Sequence, residues 1–509
     1  MNKKFYITTA IDYVNGQPHL GHTYEKILAD TIARYHRLKG EQVHFLTGVD
    51  EHGQKIQQKA SAEGIEPLTF CDQMTANFVE LTQRLKLTND DFIRTTQPRH
   101  KKVVAWALQT LFDKGLIYKA EYRGFYSVKE ERFLQEKDRV EGEWPKIFGE
   151  VKELVESNYF FKLSEFQPWL ISFYQQHPDF IFPQYRQKQV LEFLKEPLND
   201  LCISRPIERL HWGIPLPFDS GYVTYVWFDA LLNYVSAVGF GSEAFETCWP
   251  ADWHIIGKDV LLPPHSVYWP IMLKALDLPM PKHILAHGWW LVSGEKMSKS
   301  TGNAFNLLDW LDARGIDAVR YFLLREMVTG QDSEFSLESF ENRYNNELAN
   351  DWGNLISRTF NMVQRYCDGV VPDVEVKNTD LQSVWESTHP QVSKCFDTFQ
   401  FAHGLEVLFK FIRELNKFIE VKAPWKLAKQ SDASSALELK NTLACLMEGI
   451  RLSVQWLQIV LPESSEKIMS ALGCLGKEFD FTWNVQHLAG TKIVDKLLLF
   501  PKIVHEVQK

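Results

Sequence analysis

Phe5-Tyr6-Ile7-Thr8-Thr9-Ala10-Ile11 opens the chain as a short β-rich run, and the order of the segments after it decides the fold. A break containing Gly16 and Pro18 comes next. His22 to Lys39 then has helical spacing, with Ile27, Leu28, Ile32 and Tyr35 on one side, and Gln42 to Gly48 is a second strand-like run. Strand, tight turn, helix, strand is the pattern of a parallel, doubly wound α/β sheet.

Outward from there the pattern changes. Residues 118–218 mix aromatics, charges and prolines without a steady period, as an inserted domain does. Strand-like runs resume at Tyr222–Trp227 and Trp253–Ile256. From about Asn345 the apolar residues recur at three- and four-residue steps, as in Leu408, Phe411, Ile412, Leu415 and Ile419, which reads as an α-helical bundle. The expected architecture is a Rossmann-type doubly wound parallel sheet, with halves at 1–117 and 219–285, split by an insert at 118–218. A loop-bearing region at 286–344 and a helical domain at 345–509 complete the chain.

The 509 residues, 45% apolar and 24% charged, are too many for one core. No apolar run reaches the roughly 20 residues needed to span a bilayer. The strand at Phe5 leaves little room for a leader, so a soluble cytoplasmic protein is expected. The seven cysteines, Cys71, Cys202, Cys248, Cys367, Cys395, Cys445 and Cys474, are too scattered for a zinc knuckle and read as reduced thiols. A net charge of -9 argues against indiscriminate nucleic-acid binding, though a local basic surface can still hold a folded RNA.

Two short motifs carry chemistry. Pro18-His19-Leu20-Gly21-His22 stands between the first strand and its helix, where helix N-termini favour anions. Two imidazoles there could reach the phosphates of a nucleotide, and Gly21 allows close approach. Lys296-Met297-Ser298-Lys299-Ser300 has two lysines among small hydroxyl residues, suited to neutralising charge on a triphosphate. Each alone also fits a plainer reading: a helix-capping or surface histidine, and a solvated basic turn.

Together, in this order, the pair resembles the two signature motifs of class I aminoacyl-tRNA synthetases. Over nearly the whole chain the resemblance narrows to the methionyl-tRNA synthetase family. It implies an aminoacyl-tRNA ligase that activates L-methionine with ATP, with Mg²⁺ on the phosphates, and transfers it to the 3′ end of tRNA(Met) for protein synthesis. It assigns His19, His22, Lys296 and Lys299 to catalysis, and Gly21 and Ser300 beside them to ATP. The family's methionine pocket matches Ile11, Tyr13, Asp50, Trp227, Leu231, Tyr234, His265 and Trp269. Asp50 is the expected anchor for the ammonium and Arg205 a partner for the carboxylate. Aromatic rings suit a flexible chain with a polarizable sulfur. In the helical domain the resemblance places Asn354, Arg358 and Trp425 at the anticodon, and assigns 286–344 to the lysine loop and stem contacts.

Three departures from the family pattern carry expectations of their own. Tyr126-Ser127-Val128-Lys129-Glu130-Glu131 stands where a Tyr-Cys start is usual, so the insert is expected to hold no zinc. Pro263-Pro264 precede His265 and put the local helix start in question. An appended dimerising domain is absent, so a monomer is expected. The rivals are a class I synthetase for another amino acid and a tRNA-binding scaffold with a dead site.

Overall fold

A computed structural model of the chain describes residues 3–127, 132–134, 139–140, 142–292, 295–296, 307–376, 379–493 and 497–504. It divides into two compact units. One comprises Met1–Pro18, Glu41–Gln83 and Thr88–Ala286; the other comprises His19–Gly40, Arg84–Leu87 and His287–Lys509.

The first unit is built on a parallel sheet. Lys4–Thr9 lies in its middle, paired on one side with Gln42–Asp50 and on the other with Trp253–Gly257. Being covered on both faces, it buries successive residues rather than alternate ones: Tyr6, Ile7, Thr8 and Thr9 are all fully buried. From this strand the chain winds one way through Gln42–Asp50 to Asp91–Arg94 and Asp12–Tyr13. It winds the other way through Trp253–Gly257 and His283–His287 to Ile181–Phe182. The reversal beside Lys4–Thr9 makes a crevice at the carboxyl ends of the strands, the usual ligand position in such sheets. Gly48 is required where two of these strands meet, since a Cβ there would stand 2.1 Å from the Ile93 carbonyl oxygen.

The region expected to be an insert contains its own antiparallel sheet. Ile117–Ser127 and Val151–Phe161 pair along their whole length, from Ile117↔Phe161 to Ser127↔Val151, with Arg132–Leu134 and Leu201–Cys202 outside them. Its segment Ile181–Phe182, however, pairs in parallel with Ile284 and Leu285 and belongs to the main sheet.

The strand expected over Tyr222–Trp227 is Asp219–Thr224 instead, and a helix, Val226–Leu231, starts where the last expected strand residues lie. Tyr225 turns the chain. Its N–H donates to the Ile203 carbonyl at 2.7 Å, and its own carbonyl accepts from the Phe228 and Asp229 N–H groups.

The second unit is mostly helical. Leu20–Leu38 begins it, and the bundle includes Ile316–Glu326, Asn354–Cys367, Asp380–Asp397, Phe401–Lys422 and Ala433–Leu457. Leu408, Phe411, Ile412, Leu415 and Ile419, the stripe read from the sequence, are all buried. Each such side chain contributes roughly 1.5–3 kcal/mol by leaving water. The helix Leu20–Leu38 is pinned by a fully buried ion pair, Arg320 Nη2 to Asp30 Oδ2 at 2.6 Å. Arg320 also donates to the Val460, Leu85 and Ile459 carbonyls at 3.1 Å, so its guanidinium is well satisfied out of water. Among the described residues no helix is long and apolar enough to cross a membrane.

Candidate active site

The first unit gathers the residues matched to the methionine pocket around the carboxyl ends of its strands. Tyr13 and Asp50 are register partners in neighbouring parallel strands. Asp50 is 7% exposed, and the residue after it is locked in place. The buried Glu51 carboxylate accepts from Thr75 Oγ1 at 2.7 Å, Arg94 Nε at 2.8 Å and Thr96 Oγ1, while its backbone N–H donates to Thr95 Oγ1 at 2.9 Å. His52 is held in turn by Asp229. Asp50 is therefore fixed by what its neighbours do. Ile11, just beyond the central strand, is half-buried.

The matched aromatic residues form a wall that comes from the helix Val226–Leu231, the short helix Asn233–Ser236, and the chain beyond Trp253–Gly257. Tyr234, His265 and Trp269 are buried and Leu231 lies among the same core residues, while Trp227 is half-buried. The rings touch. Tyr234 lies 5.6 Å from Trp269 and 5.9 Å from His265, and Trp227 meets His265 edge-on at 6.3 Å. Pro263 and Pro264 lack N–H donors, and the segment Leu261–Tyr268 winds widely before the helix Trp269–Ala275 begins. This brings His265 back onto Val260, whose carbonyl accepts from both the His265 backbone N–H, at 3.4 Å, and its Nδ1, at 2.8 Å.

That contact sets the chemistry of the wall. Burial pushes the His265 pKa down to about 4, partly opposed by the Val260 carbonyl, so the ring is neutral near pH 7. With the proton on Nδ1, Nε2 must accept, and Tyr234 Oη donates to it at 2.7 Å. His254 is arranged in the same way. Its Nε2 accepts from Trp269 Nε1 at 3.2 Å, and its Nδ1 meets Thr8 Oγ1 at 2.7 Å. Burial, with His265 adding to it, holds the His254 pKa well below the ordinary range. Both imidazoles are uncharged spacers between aromatic rings.

Behind the wall lies a cluster that the sequence motifs do not announce. The fully buried Asp229 carboxylate takes His52 Nδ1 on one oxygen at 2.6 Å and His100 Nε2 on the other at 2.7 Å. Burial works against its charge, but the two imidazoles win and hold its pKa at about 2. His100 Nδ1 continues to Ser236 Oγ at 2.8 Å. The cluster ties the Asp50–His52 strand end to the helix bearing Trp227 and Leu231. In the sequence the only hint is a lone Asp inside an apolar helical run.

Arg205 is 3% exposed, and its guanidinium is engaged beside the pocket helix. It stacks on Tyr225 at 4.9 Å and on Tyr126 at 5.4 Å, donating to the Ser204 carbonyl at 2.7 Å and Cys202 Sγ at 3.3 Å. Tyr126, at the position where a Tyr-Cys start is usual, is thus part of a cation–π stack with Arg205 and, at 4.1 Å, Arg209.

In the second unit His19 caps the helix Leu20–Leu38. Its Nδ1 accepts from the Gly21 and His22 N–H groups at 3.1 and 3.4 Å, while His22 Nδ1 accepts from the His19 N–H at 3.3 Å. The two rings stack at 3.7 Å. The reciprocal cap puts the proton of each neutral ring on Nε2. A side chain at Gly21 would start 3.0 Å from the His19 ring. The backbone of Lys296 lies in a two-residue strand, Glu295–Lys296, paired with Trp290–Val292. Lys299 and Ser300 lie outside the described residues.

In the bundle Asn354 and Arg358 sit one turn apart at the start of Asn354–Cys367, and Asn354 is exposed. The Arg358 guanidinium lies 5.8 Å from the centre of the half-buried Trp425 ring and pairs with Glu420 at 2.7 Å. The left-handed residue Ala423 and Pro424 end the helix Phe401–Lys422 and turn out Trp425. Arg358 and Trp425, matched from distant parts of the sequence, thus lie side by side, with Asn354 one turn before Arg358 on the same helix.

Comparison with known proteins identifies the family. The family model of class I tRNA synthetases of the methionine type matches residues 5–154 and 146–360. The methionine–tRNA ligase of Bacillus subtilis (strain 168) is 40% identical over 99% of this chain and 79% of its own length. That of Halalkalibacterium halodurans is 41% identical over 92% of this chain and 74% of its own. A solved structure of Mycobacterium tuberculosis methionyl-tRNA synthetase in complex with methionyl-adenylate superposes with a TM-score of 0.91 at 37% identity, covering 98% of this chain and all of that one. The free form of the same enzyme gives 0.86 at 33%. The chain belongs to the methionine–tRNA ligases, within the class I tRNA synthetases.

Proposed function

We propose how this chain performs the ligation that defines its family. It activates L-methionine with ATP, which enters as its Mg²⁺ complex, to give methionyl-adenylate, and transfers the aminoacyl group to the 3′ end of tRNA(Met) for protein synthesis. It acts in the cytoplasm as a monomer.

Methionine binds in the first unit. Asp50 takes the ammonium, and Arg205 is assigned to the carboxylate on the family pattern. The thioether lies among Ile11, Trp227, Leu231, Tyr234, His265 and Trp269, with the hydroxyl of Tyr13 near its sulfur. A neutral wall suits this ligand. A charged His265 would bring an ion and its water into a site meant for a weak acceptor and apolar carbon.

The methionine carboxylate oxygen attacks the α-phosphorus, the bond to the bridging oxygen breaks, and pyrophosphate leaves. His19 and His22 donate from Nε2 to phosphate oxygens, and Lys296 and Lys299 neutralise charge that builds on the leaving group. Ser300 and Gly21 complete the ATP site. The terminal 2′-hydroxyl of tRNA then attacks the acyl carbon and AMP leaves. Asn354, Arg358 and Trp425 read the anticodon.

The observation that carries the methionine assignment is the buried Tyr234–His265 pair inside a cluster of indole rings, with Asp50 fixed in register beside Tyr13. Pyrophosphate exchange into ATP, measured with each amino acid in turn, tests it. Exchange with methionine alone is the expected result, and exchange that depends on another amino acid would overturn the reading.

A further inference from the structure

Asn342, Asn346, Asn350 and Asn354 recur at four-residue steps. An α-helix turns every 3.6 residues, so a strict four-residue stripe drifts around it. Here the winding changes under the stripe. Leu337–Arg343 is α-helical, Tyr344–Gly353 winds with i→i+5 bonds, and Asn354–Cys367 is α-helical again. The wider turns take more residues each and offset the drift. Asn342, Asn346 and Asn350 consequently line a single groove of about 390 Å³.

The side-chain amides of all four make no hydrogen bond to any described residue. Asn345, off the stripe, behaves differently and spends its amide on the backbone of Ile503. The charged groups in the groove are spent on one another. Arg343 pairs with Glu326 at 2.9 Å and Glu347 at 2.8 Å, and Arg413 pairs with Asp351 at 3.3 Å. The groove therefore offers a partner a row of neutral amides, each able to donate and accept. That suits hydroxyl groups that also do both, and it does not suit a phosphate clamp. The ribose 2′-hydroxyl is such a group, and it repeats along an RNA strand. The row ends at Asn354, one turn before Arg358 and its partner ring Trp425.

We propose that Asn342, Asn346 and Asn350 form a track for the ribose 2′-hydroxyls of the tRNA anticodon stem, continuous with the base-reading residues. This rests on the assignment of Asn354, Arg358 and Trp425 to the anticodon. The track recognises the strand as RNA, and the base readers recognise its sequence.

The test is binding of an anticodon stem-loop hairpin made as RNA and as DNA of the same sequence, by the full chain and by the triple variant N342A/N346A/N350A. Alanine is the best helix former and the sites are on the surface, so the variant should melt as the parent does. The parent should prefer the RNA hairpin by roughly tenfold, the worth of a few neutral hydrogen bonds. The variant should lose that preference and keep its salt dependence, since no phosphate contact is removed. Trp425→Ala should weaken both hairpins and keep the preference, which separates the two assignments. A variant that still prefers RNA as strongly as the parent overturns the track, as does a parent with no preference. A flatter salt dependence in the variant overturns the choice of hydroxyl over phosphate.

Discussion

Tyr234 Oη donates to His265 Nε2 across 2.7 Å, and the direction of that bond is set from the far side of the ring, where Val260 claims the Nδ1 proton. Removing the donor leaves a buried nitrogen without its partner. Tyr234→Phe should cost about 1–3 kcal/mol of stability. It should also raise the KM for methionine by roughly tenfold as the ring loses its fixed orientation, with the KM for ATP little changed. Steady-state pyrophosphate exchange and a thermal melt check both parts. An unchanged KM for methionine would remove Tyr234 from the pocket.

The same ring makes stability depend on pH. His265 has a pKa of about 4 in the fold against an ordinary value of 6.5. Lowering the folded value means that the unfolded chain takes up the proton first. The full contribution is present above about pH 6.5, shrinks as pH falls, and is gone below about pH 4, a change of order 3 kcal/mol. Asp229, held at about 2, adds a further loss below its ordinary 3.8. Denaturant melts from pH 7 to pH 4 should show stability falling throughout this window. In His265→Gln the slope between pH 6.5 and 4 should be shallower; an identical slope would mean that other groups carry it.

The described residues of the insert hold one another by strand pairing and ring stacking. Its two long strands pair over eleven residues each, and Arg205 and Arg209 stack on Tyr126. Treating the protein with a strong zinc chelator should leave its melting temperature and its exchange activity unchanged, and elemental analysis should find well under one zinc per chain. A stoichiometric metal whose removal unfolds the protein would contradict this.

Trp425→Ala should lower tRNA aminoacylation by about one to two orders of magnitude, the worth of one stacked base at roughly 1–3 kcal/mol. Methionine-dependent exchange without tRNA should keep its rate. The ring is only half-buried, so the melting temperature should move little. Joint loss of both activities and of stability would show that Trp425 serves the core.

How much of this is legible in the sequence depends on how local each feature is. Phe5–Ile11, His22–Lys39 and Gln42–Gly48 carry their own periodicity, and the strand, helix and strand they announce are present within a few residues. The Leu408–Ile419 stripe is equally self-contained. Tyr225–Trp227 reads as strand because its residues are β-prone, but the Ile203 carbonyl, far away in the chain, draws the Tyr225 N–H and turns it into a helix. Ile181–Phe182 is too short to announce which sheet it joins. The Asp229 cluster is a pure tertiary feature, since His52, His100 and Asp229 stand far apart in sequence and none has a motif of its own. Arg205 can be matched to the family by its neighbours Ile203 and Ser204, yet its stack between Tyr126 and Tyr225 exists only in three dimensions. His254 leaves one faint trace, a polar residue alone in the apolar run Trp253–Ile256.

Charging is the most direct test of the proposed function. Purified protein, ATP with Mg²⁺ and a tRNA(Met) transcript would be incubated with each of the twenty amino acids, and the 3′ end analysed for acylation. Methionyl-tRNA is the expected product, formed only when ATP is present and falling by on the order of 10²–10³ in Lys299→Ala, as loss of a charge-stabilising contact in the transition state does. Charging of tRNA(Met) with a different amino acid, or exchange activity with no charging at all, would contradict it.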